Sequence, residues 1–149
     1  MRFHPLYLLA PAVAVLAIAC SPESSAPAGP TGLNATAEVI DSNGKRVRNR
    51  IDLIATPAFP GAKGPATFTT KTTGERELQM SVQELTNMVG EPIRFYIGST
   101  KIGTAFVNSL GKAGLSRSTQ LGQEVPLAVA GQVAEARTVL EETIVTGSF

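Results

Sequence analysis

From Ala35 to its last residue the chain repeats one pattern: short runs of alternating apolar and polar residues, broken by turn signals every 8–15 residues. A period of two sends successive side chains to opposite faces, the mark of half-buried β-strands rather than helices. Ala37–Asp41 and Lys45–Ile54 flank Ser42-Asn43-Gly44, and Asn-Gly is the strongest short hairpin signal. Val47, Ile51 and Leu53 are the inward residues expected there. A loop rich in Pro and Gly (Pro57, Pro60, Gly61, Gly64, Pro65) leads to a Thr-rich strand, Ala66–Lys71, centred on Phe68 and turned by Thr73-Gly74-Glu75. Glu77–Gln83 sets Leu78, Met80 and Val82 against Gln79, Ser81 and Gln83. Ile93–Ile97 and Ile102–Asn108 form a hairpin through Gly98-Ser99-Thr100-Lys101. Ala113–Ser118, Val133–Leu140 and Thr143–Phe149 complete the set. The one helical alternative is Gln83–Val89, where Val82, Leu85, Met88 and Val89 fit a short helix or 3₁₀ turn ending at Gly90. The pattern predicts an all-β fold, an antiparallel β-sandwich of about eight strands with at most one short helix.

A faint internal repeat lies within it. Gly64, Ala66, Phe68, Thr72 and Gly74 share their spacing, one insertion aside, with Gly111, Ala113, Leu115, Thr119 and Gly122. Two explanations stay open: chance recurrence of Gly, Ala and Thr in a β protein, or a duplicated half-sandwich.

The N-terminus has another character. Residues 1–20 read MRFHPLYLLAPAVAVLAIAC: a short polar start with Arg2 and His4, then an apolar run from Leu6 to Ile18 that is too short to span a bilayer. Leu16-Ala17-Ile18-Ala19-Cys20 resembles the lipobox of bacterial lipoproteins, with Ala17 standing where Leu is usual. The resemblance implies a signal peptide over residues 1–19, cleavage before Cys20 and diacylglycerol on its thiol. Ser21 resembles the residue that follows the Cys in lipoproteins sent to the outer membrane. Residues 20–34, Cys20 followed by SPESSAPAGPTGLN, read as a lipidated Cys and flexible tether. Fourteen residues at roughly 3.1 Å each reach about 40 Å. The expected domains are therefore 1–19, 20–34 and a β-sandwich over 35–149, and the expected location is the bacterial cell envelope, lipid-anchored at the outer membrane.

Processing would sharpen the chemistry. The full chain carries 13 Lys+Arg, 12 Asp+Glu, one His and one Cys. Losing residues 1–19 removes one basic residue, Arg2, and the only His. The mature chain is then neutral, with no imidazole, a single Tyr at position 96, and its only Cys held as a thioether. Triad and general acid–base chemistry lean on His. One His and one Cys cannot build a four-ligand zinc site, and the charge balance speaks against a nucleic-acid partner. Lys45, Lys63, Lys71, Lys101 and Lys112 all stand beside Gly or Thr at expected turns and strand ends, where they would be solvated. Asp41-Ser42-Asn43-Gly44 has the start of a calcium loop without the later acidic ligand, and reads as a turn. No enzyme activity, cofactor or metal is expected.

One charge cluster remains, Lys45-Arg46-Val47-Arg48-Asn49-Arg50. Period two puts Arg46, Arg48 and Arg50 on one face, where they could meet an anionic group or blunt a solvated strand face. Tyr96, outward beside Arg94, is a candidate sugar or peptide contact, or else packs beneath a loop. Val39–Ile54, with Asp-x-Asn-Gly-Lys inside a hairpin, resembles bacterial Ig-like and carboxypeptidase-regulatory-like modules, which favours a sandwich. The expectation is a membrane-tethered structural or protein-binding module, or alternatively a glycan or anionic-polymer binder using Arg46, Arg48, Arg50 and Tyr96. Its expected partners are the membrane, through the lipid on Cys20, and an envelope protein or glycan.

Overall fold

The longest alternating run forms the longest strand, β2 (Arg46–Ala55), and the rest of the sheet is hung from it. The computed structural model of the chain describes residues 35–39 and 46–149. β1 (Ala35–Val39), β2, β3 (Lys63–Lys71), β4 (Arg76–Val82), β5 (Pro92–Ile97), β6 (Thr100–Phe106), β7 (Ala113–Ser118), β8 (Val133–Arg137) and β9 (Thr143–Ser148) pair antiparallel throughout. The fold is all-β, as the alternation predicts. Among the described residues the only helical turns are 3₁₀, at Thr86–Met88 and Thr119–Leu121. No α-helix forms at 83–89, because Glu84 adopts a left-handed φ of 68° that breaks the helical path.

The strand order is β6-β5-β8-β9-β2-β3-β4-β7, with β1 added to β2. β9 meets β2 over two residue pairs only, Ile54 with Thr146 and Ala55 with Val145. That short joint divides the sheet into one half of four strands (β6-β5-β8-β9) and one of five (β1, β2, β3, β4 and β7), which fold over a shared core as a sandwich. The far edges, β6 and β7, return to each other, and Arg117 Nε on β7 donates to the Ile102 carbonyl on β6 at 3.2 Å.

Both halves send alternate residues inward. Ile51, Leu53, Phe68, Leu78, Met80 and Val82 meet Ile93, Phe95, Ile97, Ala134, Ala136, Ile144 and Val145 in one buried cluster. Each large aliphatic or aromatic side chain so buried contributes about 1.5–3 kcal/mol. Val47 shares a face with Ile51 and Leu53 but is 49% exposed, so the expectation that it is inward fails. It lies near the start of β2, at the end of the strand away from β9. β1 pairs with that stretch, placing Val39 opposite Val47, while the intervening Asn-Gly turn falls outside the described residues.

Bulges shape the β5–β6 and β8–β9 hairpins. Phe95 faces Gly103 and Tyr96 faces Lys101, leaving Ile102 as the extra residue of β6. Ala136 faces Val145 and Arg137 faces Thr143, leaving Ile144 as that of β9. The freed Ile144 carbonyl accepts the Thr56 N–H at 2.9 Å. β8 stops at Arg137, short of the expected Leu140, because Thr138 closes a turn with Glu142. Pro65 stands inside β3, a position proline avoids because it donates nothing to the ladder. The regular β3–β4 register correspondingly begins at Ala66–Met80 and resumes beyond the gap at an isolated Lys63–Gln83 bridge.

The repeat does not build a duplicated half-sandwich. Its first copy forms β3 and pairs with β4, but the segment after the second copy, 123–129, forms no strand. Gly64 is an in-strand residue, whereas Gly111 sits in a turn at φ 70°.

Candidate functional site

Cys20 and residues 41–45 lie outside the described residues. The remaining expected site residues fall on two separate parts of the sandwich. Tyr96 belongs to β5 in one half-sheet, and Arg46, Arg48 and Arg50 belong to β2 in the other. The row of outward residues through Tyr96 runs by way of Glu135 and Thr146 to Ile54. Arg50 lies four residues further along β2, about 13 Å at strand spacing. Tyr96 and the arginines therefore do not form one site.

Tyr96 is outward, as its alternation with Phe95 predicts, but its ring is covered and only 9% exposed. The register sets Arg94 directly opposite Arg137 and Tyr96 opposite Glu135. Two arginines facing across a ladder repel. Glu141, from the turn after β8, resolves this by pairing with both: with Arg94, and with Arg137 Nη1 at 3.4 Å. Its carboxylate also accepts the Tyr96 hydroxyl, at 3.1 and 3.0 Å to its two oxygens. Arg137 lies over the Tyr96 ring, its guanidinium carbon 4.6 Å from the centroid, and its Nε donates to Glu135 at 2.9 Å. Hydrogen bonds from Arg94 first, then from Tyr96, hold the Glu141 carboxyl below the usual carboxylate range. Hydrogen bonding to Glu135 raises Arg137.

Reaching these partners costs Glu141 a left-handed φ of 63°. Thr138 makes the turn possible. Its backbone bonds Glu142, and its Oγ1 accepts the N–H groups of Leu140 and Glu142, both at 3.2 Å. Two cations and two carboxylates balance here. The cluster is a closed clamp at the end of a hairpin, and Tyr96 is part of it rather than an open contact for a sugar. The period-two spacing of Glu135 and Arg137 was readable beforehand, but nothing local announces that Glu141 folds back onto β5.

The arginine stripe keeps the geometry expected of it. Arg46 and Arg50 are exposed, Arg48 is half-buried, and all three share the outer face with Asp52. None forms an ion pair among the described residues. Among the residues whose side chains are described, the Nε atom of Arg48 is buried with no hydrogen-bond partner. Across β3 they face Lys71, Thr69 and Thr67, a polar surface.

A third feature escaped the sequence. Where β6 and β7 meet, a cleft of about 600 Å³ opens between Thr100–Ile102 on β6, Arg117 on β7, Arg76 on β4 and the loop 123–126. The loop is tied down at several points. Thr119 Oγ1 accepts the Arg76 N–H at 2.9 Å, Gln123 Oε1 accepts the Ser118 N–H at 3.0 Å, and the Val125 side chain is buried. The cleft is made of residues from three strands and a loop, and no linear motif joins them.

Among the described residues there is no group of three or more potential metal ligands. The lysines vary in setting: Lys63, Lys101 and Lys112 are exposed, while Lys71 pairs with Glu75 at 2.6 Å. No protein-family model and no curated protein matches the chain.

Proposed function

We propose that the protein is a lipid-anchored component of the bacterial cell envelope, serving as a non-catalytic structural or protein-binding module. The observation that carries this is the Leu16–Cys20 lipobox standing ahead of a domain with neither imidazole nor thiol. The charge clamp around Tyr96 supports it, since the most concentrated set of ionisable groups there is spent on holding a hairpin. A tether of about 40 Å would hold the sandwich clear of the membrane surface. Two or three acyl chains, at about 0.8 kcal/mol per buried CH₂, make a stable anchor. The test is palmitate labelling of the full chain in cells. Label is expected on the wild type and absent from Cys20→Ala, and label that persists in the variant refutes the anchor. A broad hydrolase screen that finds turnover would refute the non-catalytic part.

A second reading is favoured by the shared outer face of Arg46, Arg48 and Arg50: an anionic polymer or glycan lying along them. Retention on envelope glycans should then fall in Arg46/Arg48/Arg50→Ser. Unchanged retention rules it out.

A further inference from the structure

The geometry points to the cleft between β6 and β7 as a binding site for a small dianionic ligand, with Arg76, Lys101 and Arg117 as its cationic contacts. This inference is independent of the membrane anchor and of the β2 arginines.

The cleft is lined by three cations and one carboxylate, Glu124, a net charge of +2. None of these four forms an ion pair among the described residues. That sets the cleft apart from the Tyr96 clamp, where the charges cancel. At about 600 Å³ its volume falls within the range typical of small-molecule sites.

Arg117 is positioned rather than loose. The bulge frees the Ile102 carbonyl from the β5–β6 ladder, and Arg117 Nε donates to that oxygen at 3.2 Å. The rest of the guanidinium lies over Gly103. A Cβ added at Gly103 would stand 2.8 Å from Arg117 Nη2 and 3.1 Å from Leu115 Cδ1, so the absence of a side chain makes room for it. A guanidinium held by one nitrogen presents its remaining donors in a fixed plane, the arrangement that suits two-point binding of a carboxylate or phosphate.

The other lining groups narrow the ligand class. Thr100 and Gln123 offer polar contacts, and Ile102, Val125 and Pro126 offer small apolar ones. Among the described residues no aromatic ring lines the cleft, so a neutral sugar would have no ring of theirs to stack on. Recognition rests on charge and hydrogen bonds, which selects oxyanion-bearing molecules of about disaccharide size.

The experiment is isothermal titration of the full chain at low salt with digalacturonate, glucose 1-phosphate and neutral cellobiose. Binding of at least one of the two anions is expected, with none of cellobiose. The anion that binds identifies the source of the oxyanion, carboxylate or phosphate. Arg76→Gln/Lys101→Gln leaves the Arg117–Ile102 bond intact and should weaken binding about tenfold or more. Lys101→Gln alone alters an exposed side chain and should weaken it by a smaller factor with an unchanged thermal midpoint. Arg46/Arg48/Arg50→Ser should bind as the wild type does. The proposal is overturned if neither anion binds, if cellobiose binds equally, if the Arg76/Lys101 variants bind undiminished, or if binding is lost only in the β2 variant.

Discussion

Replacing Gly64 with alanine places one methyl group where the fold has no room. A Cβ there would stand 1.9 Å from the Ser81 carbonyl oxygen, 2.8 Å from its carbon and 3.1 Å from Val82 Cα. All three atoms are backbone, so no rotamer change relieves the contact. Reaching even 3.0 Å requires β3 and β4 to part by about 1 Å. The nearby Lys63–Gln83 bridge holds by two bonds, at 2.8 and 3.3 Å, and an extra ångström takes both beyond hydrogen-bond range. Losing two backbone bonds costs about 1–3 kcal/mol. Strain and displacement around the fully buried Val82 add about 1–3 kcal/mol. The sum, about 2–6 kcal/mol, is a large share of the roughly 5–15 kcal/mol that holds a domain folded. At roughly 4 °C per kcal/mol for a domain of this size, the thermal midpoint should fall by about 8 °C or more. The control is Gly114→Ala, also a glycine within a strand, whose added Cβ would meet nothing closer than 3.6 Å. It should be neutral, or gain about 0.4–1 kcal/mol through the lost freedom of the unfolded chain. Thermal unfolding followed by circular dichroism compares the two. Midpoints within 2 °C of each other would refute the close approach of β3 to β4.

Four further substitutions probe the core, the clamp and the backbone. Phe95→Ala empties a fully buried site between the half-sheets and should cost about 3–5 kcal/mol in urea unfolding, whereas a loss under 1 kcal/mol would mean the halves do not share a core. Tyr96→Phe leaves the ring beneath Arg137 but removes the hydroxyl donated to Glu141, and should cost about 0.5–1.5 kcal/mol. Because the Glu141 pKa is lowered in the folded state, its contribution is present above the ordinary carboxyl range and fades as pH falls through the folded value. In a carboxyl NMR titration Glu141 should titrate below the usual carboxylate range, and its signal should move toward that range in Arg94→Gln. Glu84→Gly relieves a left-handed residue of about 1–2 kcal/mol of strain against roughly 0.5–1 kcal/mol of added chain entropy, so it should be neutral or slightly stabilising by differential scanning calorimetry.

The strands were legible because each is a local pattern. Leu78, Met80 and Val82 alternate with polar residues, and they are buried while Gln79 is exposed. The same logic placed Val47 wrongly, since alternation reports which face a residue takes and not whether anything covers that face. Arg46, Arg48 and Arg50 were recognisable as a stripe for the reason that made β2 recognisable. Tyr96 was correctly turned outward, but Arg137 over its ring and Glu141 at its hydroxyl come from 41 and 45 residues away.

By itself the sequence determined the composition, the likeness of Leu16–Cys20 to a lipobox, the period-two runs and the turns between them, all properties of neighbouring residues. Only the tertiary structure decided which strands are neighbours. It set Arg94 against Arg137 and called for Glu141 between them. It brought β6 back to β7, so that Arg117 reaches the Ile102 carbonyl and a cationic cleft opens beside it. The physical reason is that antiparallel pairing joins distant segments by backbone hydrogen bonds, which every residue but proline can make. The partner of a strand is therefore not written in its own side chains. It is settled when two half-sheets must bury one core and their remaining edges have nowhere else to meet.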